Sequence, residues 1–172
     1  MKLPNHTALK EWASAIAALG RGEQVVLIRK GGIGDPKFGV EAERFSLFPT
    51  NYHEGGTAPA SVAITHWCEV VRTWELRDHD AVLRLEPLVV FDRPTLETRY
   101  RFRPDQAVHV IGVRTYALAN AVQVPLTDAY AGCRSWISLD EEVPIDGSRQ
   151  VLDEAALRER LERVDALLAA VV

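Results

Sequence analysis

Apolar residues recur along this chain in two rhythms, and each predicts a different kind of element. Near the start, Leu9, Trp12, Ile16 and Leu19 fall at helical spacing, which predicts a helix over about Thr7 to Leu19. Thr7 is placed to cap it, Glu11 lies near its positive end, and Gly20 and Gly22 close it. The β-branched run QVVLIRK, Gln24 to Lys30, predicts a buried strand broken by Gly31 and Gly32. Arg44 to Thr50 predicts a second strand, with Pro49 at its end or on an edge because proline cannot donate to a ladder. From Ser61 to Leu76 the period is two, which predicts one long, bent strand; a helix from Pro59 to Trp67 followed by a shorter strand is the rival.

Further on, Asp80 to Leu85 reads as a helical turn. Arg93 to Arg103 reads as a short helix with Pro94 in its first turn. Strands are expected over Val108 to Leu118, Asn120 to Pro125 and Cys133 to Leu139, and a polar loop over Ser138 to Gln150. A last helix should run from about Asp153 to Val171, capped by Asp153 and stapled by Leu152 and Leu157. Its seam of Leu157, Leu161, Val164, Leu168 and Val171 should dock on the body or on a second protomer, which would make a homodimer through this helix. The expected class is α+β: a small mixed β-barrel or strongly bent sheet with flanking N- and C-terminal helices. Residues 1–139 would form its core, with an acidic loop and C-terminal helix over 140–172 packed on it as one domain.

Length and charge narrow the picture. A chain of 172 residues suits one domain with a sizeable core. The formal net charge of −4 argues against an indiscriminate polyanion binder, but it is unevenly distributed. Ser138 to Val172 carries nine acids and four bases, whereas residues 1–137 carry fifteen acids and sixteen bases. The body is thus near neutral. Most bases are arginines, suited to bidentate contact with phosphate or carboxylate, though a GC-rich genome gives the same bias. The start carries no apolar signal-like core and no stretch is apolar enough for a membrane helix, so the expected compartment is cytoplasmic, with Cys68 and Cys133 reduced.

Candidate chemistry is sparse. Arg29 and Lys30 end a buried strand beside two glycines, where backbone freedom allows close approach to a phosphate; the P-loop spacing is absent. Arg134 and Trp136 pair a guanidinium with a stacking surface, although the indole equally fits the core. Glu69, within the long strand, needs a partner such as Arg114 or Arg29, either as a structural ion pair or as a catalytic carboxylate. His53, in a Gly-rich loop beside Glu54, could serve in acid–base chemistry or be an exposed loop residue. His66 reads as a core histidine, Cys133 as a buried thiol, and Arg99, Arg101 and Arg103 as a solvated face. No CxxC, HxxxH or HExxH occurs, so no metal or other cofactor is expected.

Four phrases together resemble the uncharacterised bacterial family catalogued as domain of unknown function 1802. They are Lys10-Glu11-Trp12, Arg29-Lys30-Gly31-Gly32-Ile33, Phe45-Ser46-Leu47-Phe48-Pro49-Thr50 with His53 following, and Gly132-Cys133-Arg134-Ser135-Trp136. The resemblance spans nearly the whole chain and implies no activity. A remoter similarity joins the order of Ala17 to Arg29 and Cys68-Glu69-Val70 to PUA-like domains of the ASCH and EVE type, which are small barrels that generally bind RNA or modified bases. That similarity implies a pocket. Enzymes of this type carry Lys and Thr in the first strand, where this chain has Gln24 and Leu27, with only Glu69 matching; this counts against their hydrolase chemistry.

The expected function is a binding module for a nucleotide, modified base or RNA, using Arg29, Lys30, Arg114, Arg134 and Trp136. A hydrolase or nuclease working through Glu69 and His53, and a partner-binding subunit using the last helix, are the alternatives.

Overall fold

Seven strands share one bent sheet, ordered β2-β5-β4-β3-β1-β6, with β7 paired to β5 off that path. The computed structural model describes residues 4–31, 34–50 and 59–169. In chain order the elements are β1 (Thr7–Trp12), α1 (Ala13–Gly20), β2 (Val26–Arg29), β3 (Arg44–Thr50), β4 (Ser61–Leu76), α2 (His79–Leu83), α3 (Arg93–Arg101), β5 (Val108–Pro125), β6 (Trp136–Ser138), β7 (Arg149–Gln150) and α4 (Glu154–Ala169). Among the described residues only β1 and β3 run parallel, and every other pairing is antiparallel.

The expected first helix is half strand. Thr7 to Trp12 pairs with β3 on one side and β6 on the other, and the helix begins only at Ala13. Both faces of β1 are covered: Leu9 packs with Leu27 and Phe45, and Ala8 with Phe48 and Ile137. A strand buried on both faces loses the alternation that would have revealed it, and tertiary pairing overrides local spacing. Glu11 is therefore a buried strand residue, not a helix-dipole partner.

The long strand β4 keeps its predicted bounds, and its alternation shifts at irregularities between Ile64 and His66 and between Val70 and Arg72. His66 consequently leaves the apolar face and lies half-buried against Gly20 at the end of α1. The two strands expected over 108–125 are one, because β5 pairs with β4 along its whole length.

The sheet is bent but not closed. Its path ends at β2 and β6, and side chains bridge these edges: Arg29 of β2 donates to Ser135 Oγ, just before β6, at 2.8 Å. One backbone bond, from Gly34 N to Cys133 O, lies beside this bridge. So the bent sheet is the form adopted, rather than the barrel.

Helix α4 completes the core. Leu157, Leu161 and Val164 join Val26, Ile28, Val108 and Val110 in one cluster. The part of the seam from Leu157 to Val164 is thus covered by the chain's own sheet, with Leu168 partly buried against the same cluster; Val171 lies outside the described residues. Gly112 permits this close approach, since a Cβ there would stand 2.9 Å from Leu161 Cδ2. Leu161→Ala should lower unfolding free energy by about 2–5 kcal/mol through lost burial and a residual cavity. Urea denaturation would check this; an unchanged midpoint would show that α4 does not belong to the cooperative core.

Candidate functional site

Strand ends, a helix face and a loop meet at the bridged edges and leave a cleft of about 950 Å³, near the upper end of the usual range for ligand pockets. The parallel pairing of β1 with β3 puts Trp12 opposite Thr50, so both strands finish at the same place. Lys10 and Trp12 come from β1, and Arg29, Lys30 and Gly31 from the end of β2. Gly31 adopts φ +87°, a conformation that favours glycine, as the chain leaves β2. The facing wall is α3, held by Asp92 accepting from Thr95 N; Thr95, Arg99 and Phe102 follow at i, i+4 and i+7. The loop 131–134 forms the third side.

Beneath the cleft lies a buried charge cluster. The Glu11 side chain is fully buried; Arg29 Nη1 stands 3.4 Å and Arg99 Nη2 3.9 Å from its oxygens, and Trp12 N donates to it at 2.8 Å. Arg29 also donates to Ser135 Oγ, which in turn donates to Asp35 at 2.6 Å. Arg99 donates to Ile28 O at 2.6 Å, and its guanidinium lies 4.3 Å from the Phe91 ring centre. Burial brings the Arg99 pKa down to about 10; Glu11 opposes the shift and Arg29 adds to it. Arg99 therefore stays charged at neutral pH.

The two lysines have carbonyl partners. Lys10 Nζ donates to Tyr130 O and, at 2.9 Å, to Gly132 O, while Lys30 Nζ donates to Tyr100 O. Burial lowers both lysine pKa values; Cys133 and Asp35 oppose it at Lys10, and Asp105 at Lys30.

The expected site residues divide between this cleft and other places. Arg29, Lys30 and Arg134 line it. Trp136 does not: its ring lies 6.3 Å from Phe38 and 5.1 Å from Phe45, and its Nε1 donates to Gly39 O, so it belongs to the core. Arg114 lies elsewhere too. It sits opposite Glu69 across β4 and β5, donates to it at 2.6 Å, and grips Glu154 on α4 with two further bonds. Arg44 reaches Glu69 from the other side at 3.1 Å. This chain of ion pairs ties α4 to the sheet, and neither Glu69 nor Arg114 faces the cleft. His53 lies outside the described residues. Cys133 is exposed in the cleft wall, not buried.

Sequence reasoning missed Lys10, Glu11, Trp12 and Arg99 as a group. Charged Lys10 and Glu11 inside an apolar run gave one signal. Arg99 gave another, since it continues the Thr95 face of its helix. Among the described residues no group of three or more His, Cys, Asp or Glu could hold a metal. None of the described helices is long and apolar enough to cross a membrane.

An open bent sheet with flanking helices fits a PUA-like fold. The fold matches the crystal structure of ASCH from Zymomonas mobilis with a TM-score of 0.51, covering 94% of this chain and 96% of that one at 9% identity. A tyrosine-to-phenylalanine mutant of that protein gives the same score and identity over 92% and 97%. At such identity the likeness establishes the fold alone. The chain belongs to the family described as Domain of unknown function (DUF1802), whose model matches residues 8–56 and 54–163. No curated protein matches it.

This geometry has two measurable outcomes. Hydrogen bonds from Arg114, then Gln150, hold the Glu154 carboxyl down to about 2. Its contribution to stability is thus present above the ordinary carboxylate range and is lost as pH falls from there toward 2. Glu154→Gln should therefore flatten the fall of the thermal midpoint between about pH 5 and 3; an unchanged slope would detach this pair from acid stability. Meanwhile Cys68 is fully buried and its thiol is pushed up to about 12 by desolvation. Titration of folded protein with a thiol reagent should modify Cys133 alone, and denaturant should release the second thiol.

Proposed function

We propose that the cleft binds a nucleotide or a single-stranded RNA segment. One observation carries this reading: a chain of net charge −4 gathers Lys10, Arg29, Lys30, Arg99 and Arg134 around one cleft that Trp12 and Phe102 also line. Cations that recognise phosphate together with a ring on which a base can stack are what nucleotide recognition requires. The ASCH-like fold agrees with this, since domains of that type generally bind RNA or modified bases. Trp12 takes the stacking role first expected of Trp136. Hydrolysis through Glu69 loses support, because that carboxylate is engaged by Arg44 and Arg114 away from the cleft.

Fluorescence polarisation with labelled single-stranded RNA should give binding that weakens as salt rises, with a logarithmic slope of roughly −0.7 per phosphate contact. Trp12→Ala should cost about 1–3 kcal/mol of affinity if a base stacks there. Folded protein that binds no RNA, DNA or nucleotide at low salt would overturn the proposal.

A further inference from the structure

Resting on that reading, we propose that the cleft selects a phosphomonoester, the terminal phosphate of a strand or of a free nucleotide, over the internal phosphodiesters of a chain.

Depth is the first ground. Lys10, Arg29 and Lys30 are at most 9% exposed, and the Arg99 side chain is 17% exposed. The rim, by contrast, is open at Thr98, Ala131, Gly132 and Arg134. A strand lying across the cleft brings its diesters to that rim. Only an end, or a small molecule, carries a phosphate down to the floor.

Charge is the second. Four cations lie toward the floor of the cleft, Lys10, Arg29, Lys30 and Arg99, and the carboxylates set against them there are Glu11 and Asp35, a formal excess of two positive charges; Arg134 and Asp92 on the rim are exposed. Asp105 pulls on Lys30 only from the solvent-exposed surface. A phosphomonoester carries roughly −1.5 to −2 at neutral pH and offers three strong acceptor oxygens. A diester brings a single charge. The monoester is therefore the closer complement.

Hydrogen-bond chemistry is the third. The floor keeps N–H donors to spare: beyond their carbonyl partners Lys10 has one ammonium hydrogen and Lys30 two, and nine-tenths-buried Arg29 keeps its Nε without a partner. Threonine hydroxyls add little donor capacity, since Thr50 and Thr98 already donate to Glu11 O and Pro94 O. A floor so biased toward N–H donors suits a ligand group made only of acceptors.

The test uses the full chain and one short RNA sequence labelled at an internal position. It is prepared with both ends hydroxyl, with a 5′-phosphate, or with a 3′-phosphate, and competed with a nucleoside and its 5′-monophosphate. A phosphorylated RNA end should bind at least about tenfold more tightly than the hydroxyl form, or the monophosphate should compete where the nucleoside does not. The first result assigns the phosphate to a strand end and the second to a free nucleotide. Equal affinity for all RNA forms together with no advantage of the monophosphate would overturn the end preference and leave RNA binding intact. Absence of any binding would overturn both. Lys30→Gln should erase the discrimination, whereas Arg134→Gln, on the rim, should weaken all forms by a similar factor. Thermal melting confirms that both variants fold. A Lys30→Gln protein that still discriminates tenfold would overturn recognition at the floor.

Discussion

Everything at the working end of this protein depends on one buried carboxylate. Glu11 has no access to water, and its charge is tolerable only because two guanidiniums and a backbone amide face it. That requirement fixes where β1 must end, how far β2 must extend and which face α3 must turn inward. Arg29 carries the constraint across to Ser135 and Asp35, so the same cluster draws the two edges of the sheet together. The cleft is the space that remains where this polar junction meets solvent. A hydrophobic junction of equal volume could hold the edges together as firmly, but it would leave no cations at the base of a pocket.

Most strands were legible in the sequence, whether or not they have a wet face: β2 is buried along its whole length and β3 over Phe45 to Phe48, yet both showed as apolar runs between breaks. β4 announced itself through sixteen alternating residues, and β3 and α3 through a proline and clear breaks. Only the shifts within β4 escaped, because irregular pairing leaves no mark on composition; hence the misplacing of His66. β1 was hidden because its few apolar positions continue in phase with the helix that follows. Within the site, Arg29, Lys30 and Arg134 were visible from their Gly-flanked setting. Trp136 was drawn in by proximity in sequence to Arg134, but Arg134 lies in the loop before β6, so the direction of its side chain does not carry over to the strand residue. Arg99 could be placed on the Thr95 face of its helix, but a polar helix shows which residues share a face, not what that face meets.

Glu69 illustrates how a charged residue in a strand divides opinion at the sequence level. Its partner, Arg114, is directly opposite across the ladder, and the pair continues to Glu154 on α4. A carboxylate flanked by two arginines and tied to the start of a helix serves to dock that helix. The acidic C-terminal segment, which seemed a separate appendage from its charge alone, is thereby an integral layer over the sheet. It carries the chain's net negative charge, while five cations gather at the cleft.

The bond from Arg99 to Ile28 O has a consequence for the protein's behaviour in concentrated solution. β2 is an outer strand, and an outer strand offers unpaired carbonyls to any passing chain. Arg99 occupies one of these and, with α3, shields the strand from recruiting another molecule. Arg99 is thus both a cleft residue and the cover of an edge carbonyl, and replacing it would empty one role together with the other.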